Sequence, residues 1–355
     1  MTVFSHEAFV DHEQVVFVSD EAAGLKALIA IHDTTLGPAL GGCRMYPYAD
    51  EEAALHDVLR LSRGMTYKAA ASGLDFGGGK AVIIGDPRSQ KTPALLQAMG
   101  RAVDRLAGRY ITAEDVGTTV ADFAEIRKAT RHVVGLPVEL DGTGDPSPTT
   151  ALGVFHGLAA AARHRWGAES LTGHRVAVQG LGNVGWHLCQ LLHEAGASLT
   201  VSDVDSSRMA KAVATFAAQA VAPEAIYAVD AEIFAPCAMG AVLNDDTVTQ
   251  LRCGIVGGAA NNQLASEDHG EILRTRGILY LPDFVINAGG MIRVASEWNG
   301  YDSDLVDRGV EGIGRTLLAI LQSAEADGVP THAAALRLAE ARLTQARIGR
   351  AALAA

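Results

Sequence analysis

The stretch Val176-Ala-Val-Gln-Gly180-Leu-Gly182-Asn-Val-Gly185-Trp-His-Leu188 restricts the fold more than any other part of the chain. An apolar run of strand character enters a three-glycine turn and leaves as an amphipathic helix reaching Glu194. Gly180 permits the sharp bend, Gly182 lets backbone N–H groups approach a pyrophosphate, and Gly185 lets helix and strand pack closely. The helix N-terminus adds about half a positive charge, which suits a phosphate. A second strand, Ser198–Ser202, runs into Asp203, 23 residues after Gly180. That is close to the spacing of about 20 residues expected of the acid that holds the adenosine ribose hydroxyls. An acid there would repel a 2′-phosphate and so favours NAD over NADP. A lone glycine turn is weak evidence, but strand, turn, helix, strand and acid in this order predict a dinucleotide site.

The remaining composition sets limits. At 355 residues the chain has room for two domains, given about 150 residues per domain as a soft prior. A net charge of −12 argues against a nucleic-acid or anionic-membrane surface. The N-terminus lacks a basic region followed by an apolar core, and no uncharged apolar run approaches the ~18 residues of a membrane span. Cys43, Cys189, Cys237 and Cys253 are widely spaced, as expected of reduced thiols in a cytoplasmic protein. None of the 12 histidines forms a metal-binding cluster motif, so no metal site is expected.

Along the chain, Gln14–Val18 and Leu25–Ile31 read as strands of a hairpin joined through Ser19 to Gly24. Leu36–Gly42 reads as a loop held close to something. Glu51–Arg63 has helical spacing, with Ala54, Leu55, Val58, Leu59 and Leu61 on one stripe. Lys68 and Lys80 flank a glycine-rich turn, and Lys80 leads into the apolar strand Ala81–Ile84. Residues 92–108 form another amphipathic helix, and Tyr110–Thr119 is a strand ending in Glu114, Asp115 and a turn.

A loop rich in Gly, Asp, Pro and Ser, Asp141–Pro148, marks a boundary. Ser147 and Pro148 suit the N-cap and N1 positions of a helix from Thr149 to Arg163. Further strands are expected within Ile233–Ala238, Gly254–Gly258 and Gly277–Leu281. Alternating strands and helices predict an α/β protein whose second domain holds a parallel, doubly wound sheet. The expected divisions are 1–147, 148–330 and a terminal helix in 331–355. That helix carries Arg337, Arg342, Arg347 and Arg350, either solvated or packed back on the first domain.

Lys80 stands between three glycines and an apolar run, where partial desolvation would lower its pKa towards that of a general base. Gly77-Gly-Gly-Lys80 is not a phosphate loop. Position 74 is Leu, the residue after Lys80 is Ala, and a strand follows where such a loop needs a helix.

Several long segments resemble the superfamily of glutamate, leucine, valine and phenylalanine dehydrogenases, and look most like its leucine branch. They are Ile31–Gly42, Arg63–Lys68, Gly77–Lys80, Gly108–Thr119, Gly257–Gln263 and Pro282–Gly290. The resemblance runs over essentially the whole chain. It implies a substrate-binding, catalytic and oligomerisation domain followed by a Rossmann-type NAD domain, separated by a cleft that closes by a hinge. It implies the conversion of an L-amino acid, water and NAD⁺ to a 2-oxo acid, ammonia and NADH. By resemblance Lys80 is the general base, Asp115 the proton relay, and Lys68 the partner of the substrate carboxylate, helped by the Gly41 backbone and Asn262. Two lysines near one carboxylate also lower each other's pKa. Met65 joins the substrate contacts. Cofactor contacts would come from Gly180, Leu181, Gly182, Asn183, Val184, Gly185, Trp186 and Asp203, with Thr150, Cys237, Ala238 and Asn261. A homo-oligomer, commonly an octamer, is implied.

Glutamate enzymes of this superfamily hold the substrate's second carboxylate with a lysine where this chain has Leu40. An unpaired carboxylate against leucine would cost several kcal/mol, so glutamate is disfavoured. The side-chain pocket implied by resemblance is Leu40, Ala113, Met291 and Val294, all apolar, as a branched aliphatic side chain requires. Met291 departs from the valine of leucine dehydrogenases and narrows the pocket, which favours valine or isoleucine by a graded margin of about 1–3 kcal/mol per methylene. Gly185 is a second departure, since alanine also occurs there. The competing readings are a valine or phenylalanine dehydrogenase of the same family, and a silent dinucleotide or amino-acid sensor that should have lost Lys80 or Asp115.

Overall fold

The structure, a computed structural model, describes residues 3–168 and 170–354. The chain divides into two α/β units. The first comprises Met1–Asp145, Arg293–Asp302 and Ala339–Ala355; the second comprises Pro146–Ile292 and Ser303–Leu338. The division falls just before the expected boundary, and the first unit takes back two later segments that local sequence pattern does not reveal.

The first unit is built on a mixed sheet of β1 (Gln14–Asp20), β2 (Leu25–Asp33), β3 (Ala39–Tyr46), β4 (Gly77–Ile84) and β5 (Tyr110–Glu114). Their order in space is β1-β2-β4-β3-β5. β1 and β2 form the expected hairpin, with Gln14 opposite Ile31 and Gly24 at φ +69° in its turn. The two-residue period of β2 sends Leu28 and Ala30 to one face, where they meet Ala54, Leu55, Val58 and Leu59 of the Glu51–Ala71 helix. Ile29 and Ile31 go to the other face, against Leu95, Leu96 and Met99 of the Pro93–Asp104 helix. Both helices start on side-chain caps: Asp50 accepts from Ala53 N and Thr92 from Leu95 N.

Two expectations from sequence need correction here. Leu36–Gly42 is not wholly a loop, because β3 begins at Ala39, and Gly77-Gly-Gly79 is not a turn but the start of β4. A Cβ added at Gly41 would stand 1.7 Å from the Gly79 carbonyl oxygen, and one at Gly78 would stand 2.1 Å from Thr66 N on the Glu51–Ala71 helix. These glycines serve close approach rather than bending. Glycine lowers strand propensity, which is why the pattern reads as a turn.

The C-terminal part of the Thr331–Ala354 helix belongs to this first unit. Arg342 donates to the Ala69 and Ala70 carbonyls at 3.3 and 3.1 Å and to Asp75 Oδ1 at 2.8 Å. It therefore supplies donors to the open carboxyl end of the Glu51–Ala71 helix. Arg347 donates to the buried Asp33 at 2.6 Å.

The second unit carries a six-stranded sheet: β6 (Arg175–Gln179), β7 (Ser198–Ser202), β8 (Gln219–Ala220), β9 (Ile233–Pro236), β10 (Ile255–Val256) and β11 (Leu279–Tyr280). Every pairing is parallel and the order is β11-β10-β9-β6-β7-β8. The order reverses between β6 and β9, and ligands of open α/β sheets bind outside the carboxyl ends of the strands at such a point. The Ser147–Trp166 helix starts two residues ahead of the expected Thr149 and ends at Gly167, φ +68°. Among the described residues no helix is long and apolar enough to cross a membrane.

Candidate active site

The register of the first sheet decides which charged groups meet. β3 lies between β4 and β5, with Leu40 opposite Gly78 on one side and Gly42 opposite Ala113 on the other. Lys80 on β4 and Asp115, just past β5, therefore reach each other across β3, and Lys80 Nζ donates to Asp115 Oδ2. Gly42 makes that possible: a Cβ there would stand 2.8 Å from Asp115 Cβ. The Lys80 side chain is 6% exposed and that of Asp115 15%, so the pair is largely withdrawn from water.

Asp115 is over-determined. Arg44 Nε donates to its Oδ1 at 3.0 Å and Val116 N donates to the same oxygen at 2.7 Å. Burial would raise the Asp115 carboxyl pKa, but Lys80 and Arg44 outweigh it and hold the group at about 2. Arg44 is itself held by Asp57 Oδ2 at 2.8 Å, an oxygen that also accepts from Tyr48 OH at 2.7 Å. Thr118 braces the turn, accepting from Asp115 N at 3.0 Å and donating to Cys43 O at 2.9 Å. The neighbouring Glu114 carboxyl is pushed up, first by burial and then by Asp145.

Other predicted substrate contacts belong to the same unit. Lys68 is half-buried in the last turn of the Glu51–Ala71 helix, with Met65 one turn before it. Leu40 is buried at the start of β3, and the Gly41 carbonyl accepts from Tyr110 OH at 2.7 Å. Ala113 on β5 and Val294 on the Gly289–Trp298 helix come together at Gly135, where an added Cβ would lie 4.0 Å from Ala113 Cβ and 3.9 Å from Val294 Cγ1. Gly135 itself is pinned by Glu297, one turn beyond Val294. Glu297 Oε2 accepts from Gly135 N at 2.7 Å, and Oε1 accepts from Thr143 N at 2.7 Å and from the Thr143 hydroxyl. The predicted contacts Asn262 and Met291 belong to the second unit, where Met291 is 9% exposed.

In the second unit the glycine turn divides its tasks among three residues. Gly180, φ +93°, is packed against Ala238, whose Cβ would be 2.8 Å from an added one. At Gly185 an added Cβ would meet the Gly180 carbonyl oxygen at 1.9 Å, so this backbone does not accept alanine without moving. Around Gly182 there is open space. The Asn183–Glu194 helix has no side-chain cap at its N-terminus, so its first turn is left for an anion. Val184 and Trp186 lie in that turn, and Lys211 Nζ stands 4.2 Å from the Trp186 ring centre.

Cys237 N donates to Gln179 O at 2.7 Å, fastening the end of β9 to the end of β6 at the reversal of strand order. Asp203 Oδ2 accepts from Leu181 N at 2.6 Å and Oδ1 from Asp205 N at 2.8 Å. Each oxygen keeps a lone pair with which to accept a ribose hydroxyl. Thr150 Oγ1 donates to Pro146 O at 3.1 Å and would lie 2.5 Å from a Cβ at Gly290, so the starts of these two helices are in close contact. Asn261 Oδ1 accepts from Asn287 at 2.8 Å, and Asn262 takes φ +51°. Open turn, uncapped helix and the acid at 203 together fit a dinucleotide.

Sequence reasoning missed Arg44, Asp57, Tyr48, Gly135 and Glu297. Arg44 left little signal, because the Gly-Gly pair before it reads as a loop and a lone arginine as a surface cation. Glu297 left none, since its partners are more than 150 residues away in the chain.

Residues 12–132 match the family model described as Glu/Leu/Phe/Val dehydrogenase, dimerisation domain. Residues 142–209 and 200–350 match the model for glutamate/leucine/phenylalanine/valine dehydrogenase. Leucine dehydrogenase of Bacillus subtilis is 52% identical over 350 residues, covering 99% of this chain and 96% of that protein. Phenylalanine dehydrogenase of Caldalkalibacillus thermarum is 49% identical over 348 residues, covering 97% and 94%. Among solved structures, L-tryptophan dehydrogenase of Nostoc punctiforme superposes with a TM-score of 0.83 at 50% identity, over 95% of this chain and 97% of that one.

Proposed function

Because the chain belongs to the glutamate/leucine/phenylalanine/valine dehydrogenase family and is an amino-acid dehydrogenase, we propose that it carries out the reversible, NAD-dependent oxidative deamination of branched-chain aliphatic L-amino acids. The observation that carries the chemistry is the withdrawn Lys80–Asp115 pair. Lys68 binds the substrate α-carboxylate, assisted by Gly41. A bound nicotinamide would supply the acceptor for the hydride that leaves the substrate Cα. Lys80 takes a proton from the water that adds to the iminium carbon, giving a carbinolamine. Asp115 relays the proton taken up by Lys80 to the nitrogen, which leaves as ammonia as the carbinol hydroxyl gives its proton back to Lys80 and its oxygen becomes the carbonyl of the 2-oxo acid. The Gly180–Trp186 turn would hold the pyrophosphate and Asp203 the adenosine ribose, and the acid at 203 is the reason for choosing NAD over NADP.

Leu40, Ala113 and Val294 of the first unit line the side-chain pocket in this reading. Their uniformly apolar character supports an aliphatic substrate and offers no partner to a second carboxylate. The first unit's match to a dimerisation model, and Phe17 exposed on the edge strand β1, support a homo-oligomer assembled through that unit. The four free cysteines suit a cytoplasmic setting.

The test is NADH formation from a panel of L-amino acids with the wild type and Lys80→Ala. Turnover of leucine, valine and isoleucine, none of glutamate, and loss in the variant is the expected result. A preference for phenylalanine or tryptophan would replace the aliphatic assignment, and an active Lys80→Ala would remove the base.

A further inference from the structure

We propose that Arg44 is the positioning residue of the proton relay, anchoring Asp115 through Oδ1 so that Oδ2 alone faces Lys80 and carries the proton. This rests on the reading of Lys80 as base and Asp115 as relay.

The two carboxylate oxygens of Asp115 are not equivalent. Oδ1 accepts from Arg44 Nε at 3.0 Å and from Val116 N at 2.7 Å, whereas Oδ2 accepts from Lys80 Nζ. Two donors on Oδ1 fix the carboxylate plane and occupy the lone pairs a migrating proton would need. Arg44 can hold that plane because it is held from the other side: Asp57 Oδ2 accepts from its Nη1 at 2.8 Å, and the Tyr48 hydroxyl completes that oxygen at 2.7 Å. The resulting chain runs Lys80–Asp115–Arg44–Asp57–Tyr48 from β4 to the Glu51–Ala71 helix.

The side chains of Arg44, Asp57 and Asp115 are 22%, 16% and 15% exposed. In such a setting solvent screening is weak and geometry is set by these contacts. A bridging arginine fits this task better than a lysine, since one planar group bonds two carboxylates at once, through Nε to Asp115 and Nη1 to Asp57.

Arg44 also contributes charge. The other titratable groups facing Asp115 are Cys43 at β3, Tyr48 beyond it, and Tyr110 and Glu114 on β5, all of which are neutral or anionic. Lys80 and Arg44 are the strongest cations acting on Asp115. Removing Arg44 takes away positive charge, so the remaining acids and bases of the site hold protons more tightly. The limb of the rate profile that requires a deprotonated group therefore moves to higher pH.

The experiment compares wild type, Arg44→Met, Arg44→Lys and Asp57→Asn, with Lys80→Ala and Asp115→Asn as controls, in amino-acid oxidation across pH. NADH binding and melting temperature are recorded for each. Arg44→Met should lower kcat by about 10–100-fold, within the range of acid–base contributions. It should leave KM for the amino acid within about threefold and shift the acidic limb upward by about one pH unit, as expected for loss of one nearby charge. Arg44→Lys should restore the limb but not the full kcat, and Asp57→Asn, which removes a negative charge, should lower kcat by less than Arg44→Met and move the limb to lower pH.

A folding defect would lower kcat at every pH without moving the limb, and an unmoved limb in Arg44→Met overturns the proposal. If Lys80→Ala or Asp115→Asn instead keeps turnover, the underlying assignment of base and relay fails, whatever Arg44 does.

Discussion

Replacing Glu297 by glutamine should uncouple the Gly135–Thr143 segment from the helix that carries Val294. The wild-type carboxylate accepts from Gly135 N and Thr143 N, each at 2.7 Å, and more weakly from Leu136 N at 3.4 Å. An amide has one oxygen where the carboxylate has two. Whichever way the substituted amide turned, its NH₂ would confront one of the two backbone N–H groups, donor against donor. An N–H left without an acceptor costs about 1–3 kcal/mol, and loss of charge assistance on the surviving bond adds about 1. The expected destabilisation of Glu297→Gln is therefore about 2–4 kcal/mol. Urea denaturation followed by tryptophan fluorescence suits the measurement, because Trp298 adjoins the site and lies 5.7 Å from the His132 ring. Since Gly135 sits against Ala113 and Val294, the valine-to-leucine ratio of kcat/KM should change too, while Lys80 and Asp115 are untouched. A loss below about 0.5 kcal/mol, the ordinary range for surface substitutions, with an unaltered ratio would show that the segment does not depend on Glu297.

Three glycine and histidine substitutions test the rest of the reading. Gly182→Ala meets open space and should melt like the wild type while binding NADH about tenfold more weakly; Gly185→Ala meets the Gly180 carbonyl oxygen at 1.9 Å and should lose stability as well. Equal melting temperatures for the two variants would contradict the division of labour in the turn. His32 is buried beside His12, and burial, then the His12 charge, bring its pKa down to about 4 from the ordinary 6.5. The unfolded chain binds that proton more readily, so its share of stability is complete above about pH 6.5 and is lost as pH falls towards 4, about 3 kcal/mol in all. Urea midpoints at pH 7 and 5 should differ less in His32→Asn, which keeps an acceptor for Thr66; an undiminished difference would place the titration elsewhere.

What was legible in the sequence follows the distance over which each feature is built. The β6–turn–helix–β7–Asp203 unit is contiguous, so its strand, glycines and acid could be placed from spacing alone, and the β1–β2 hairpin likewise. Lys80 drew attention through its neighbours, but its meeting with Asp115 depends on β3 lying between β4 and β5, which no local pattern specifies; the resemblance supplied it. The triple glycine misled because a turn and a crowded strand make the same demand for a missing side chain. Arg44 looked like any surface cation until Asp57 and Asp115 were seen on either side of it. The return of Arg293–Asp302 to the first unit hid Glu297 entirely.

The glycines of β3 and β4 carry a consequence for engineering. Where Gly41 approaches Gly79, and Gly78 approaches Thr66, one main chain rests on another with no side chain between them. A floor of that kind has no rotamers to adjust, so a change there cannot be absorbed by neighbours and displaces Lys80 directly. Leu40, Ala113 and Val294, the walls of the proposed pocket, carry side chains whose neighbours can repack around another apolar residue of similar volume. Libraries aimed at new substrates should therefore randomise those walls and keep Gly41, Gly42, Gly77, Gly78 and Gly79 invariant, leaving the reaction intact while its selectivity drifts.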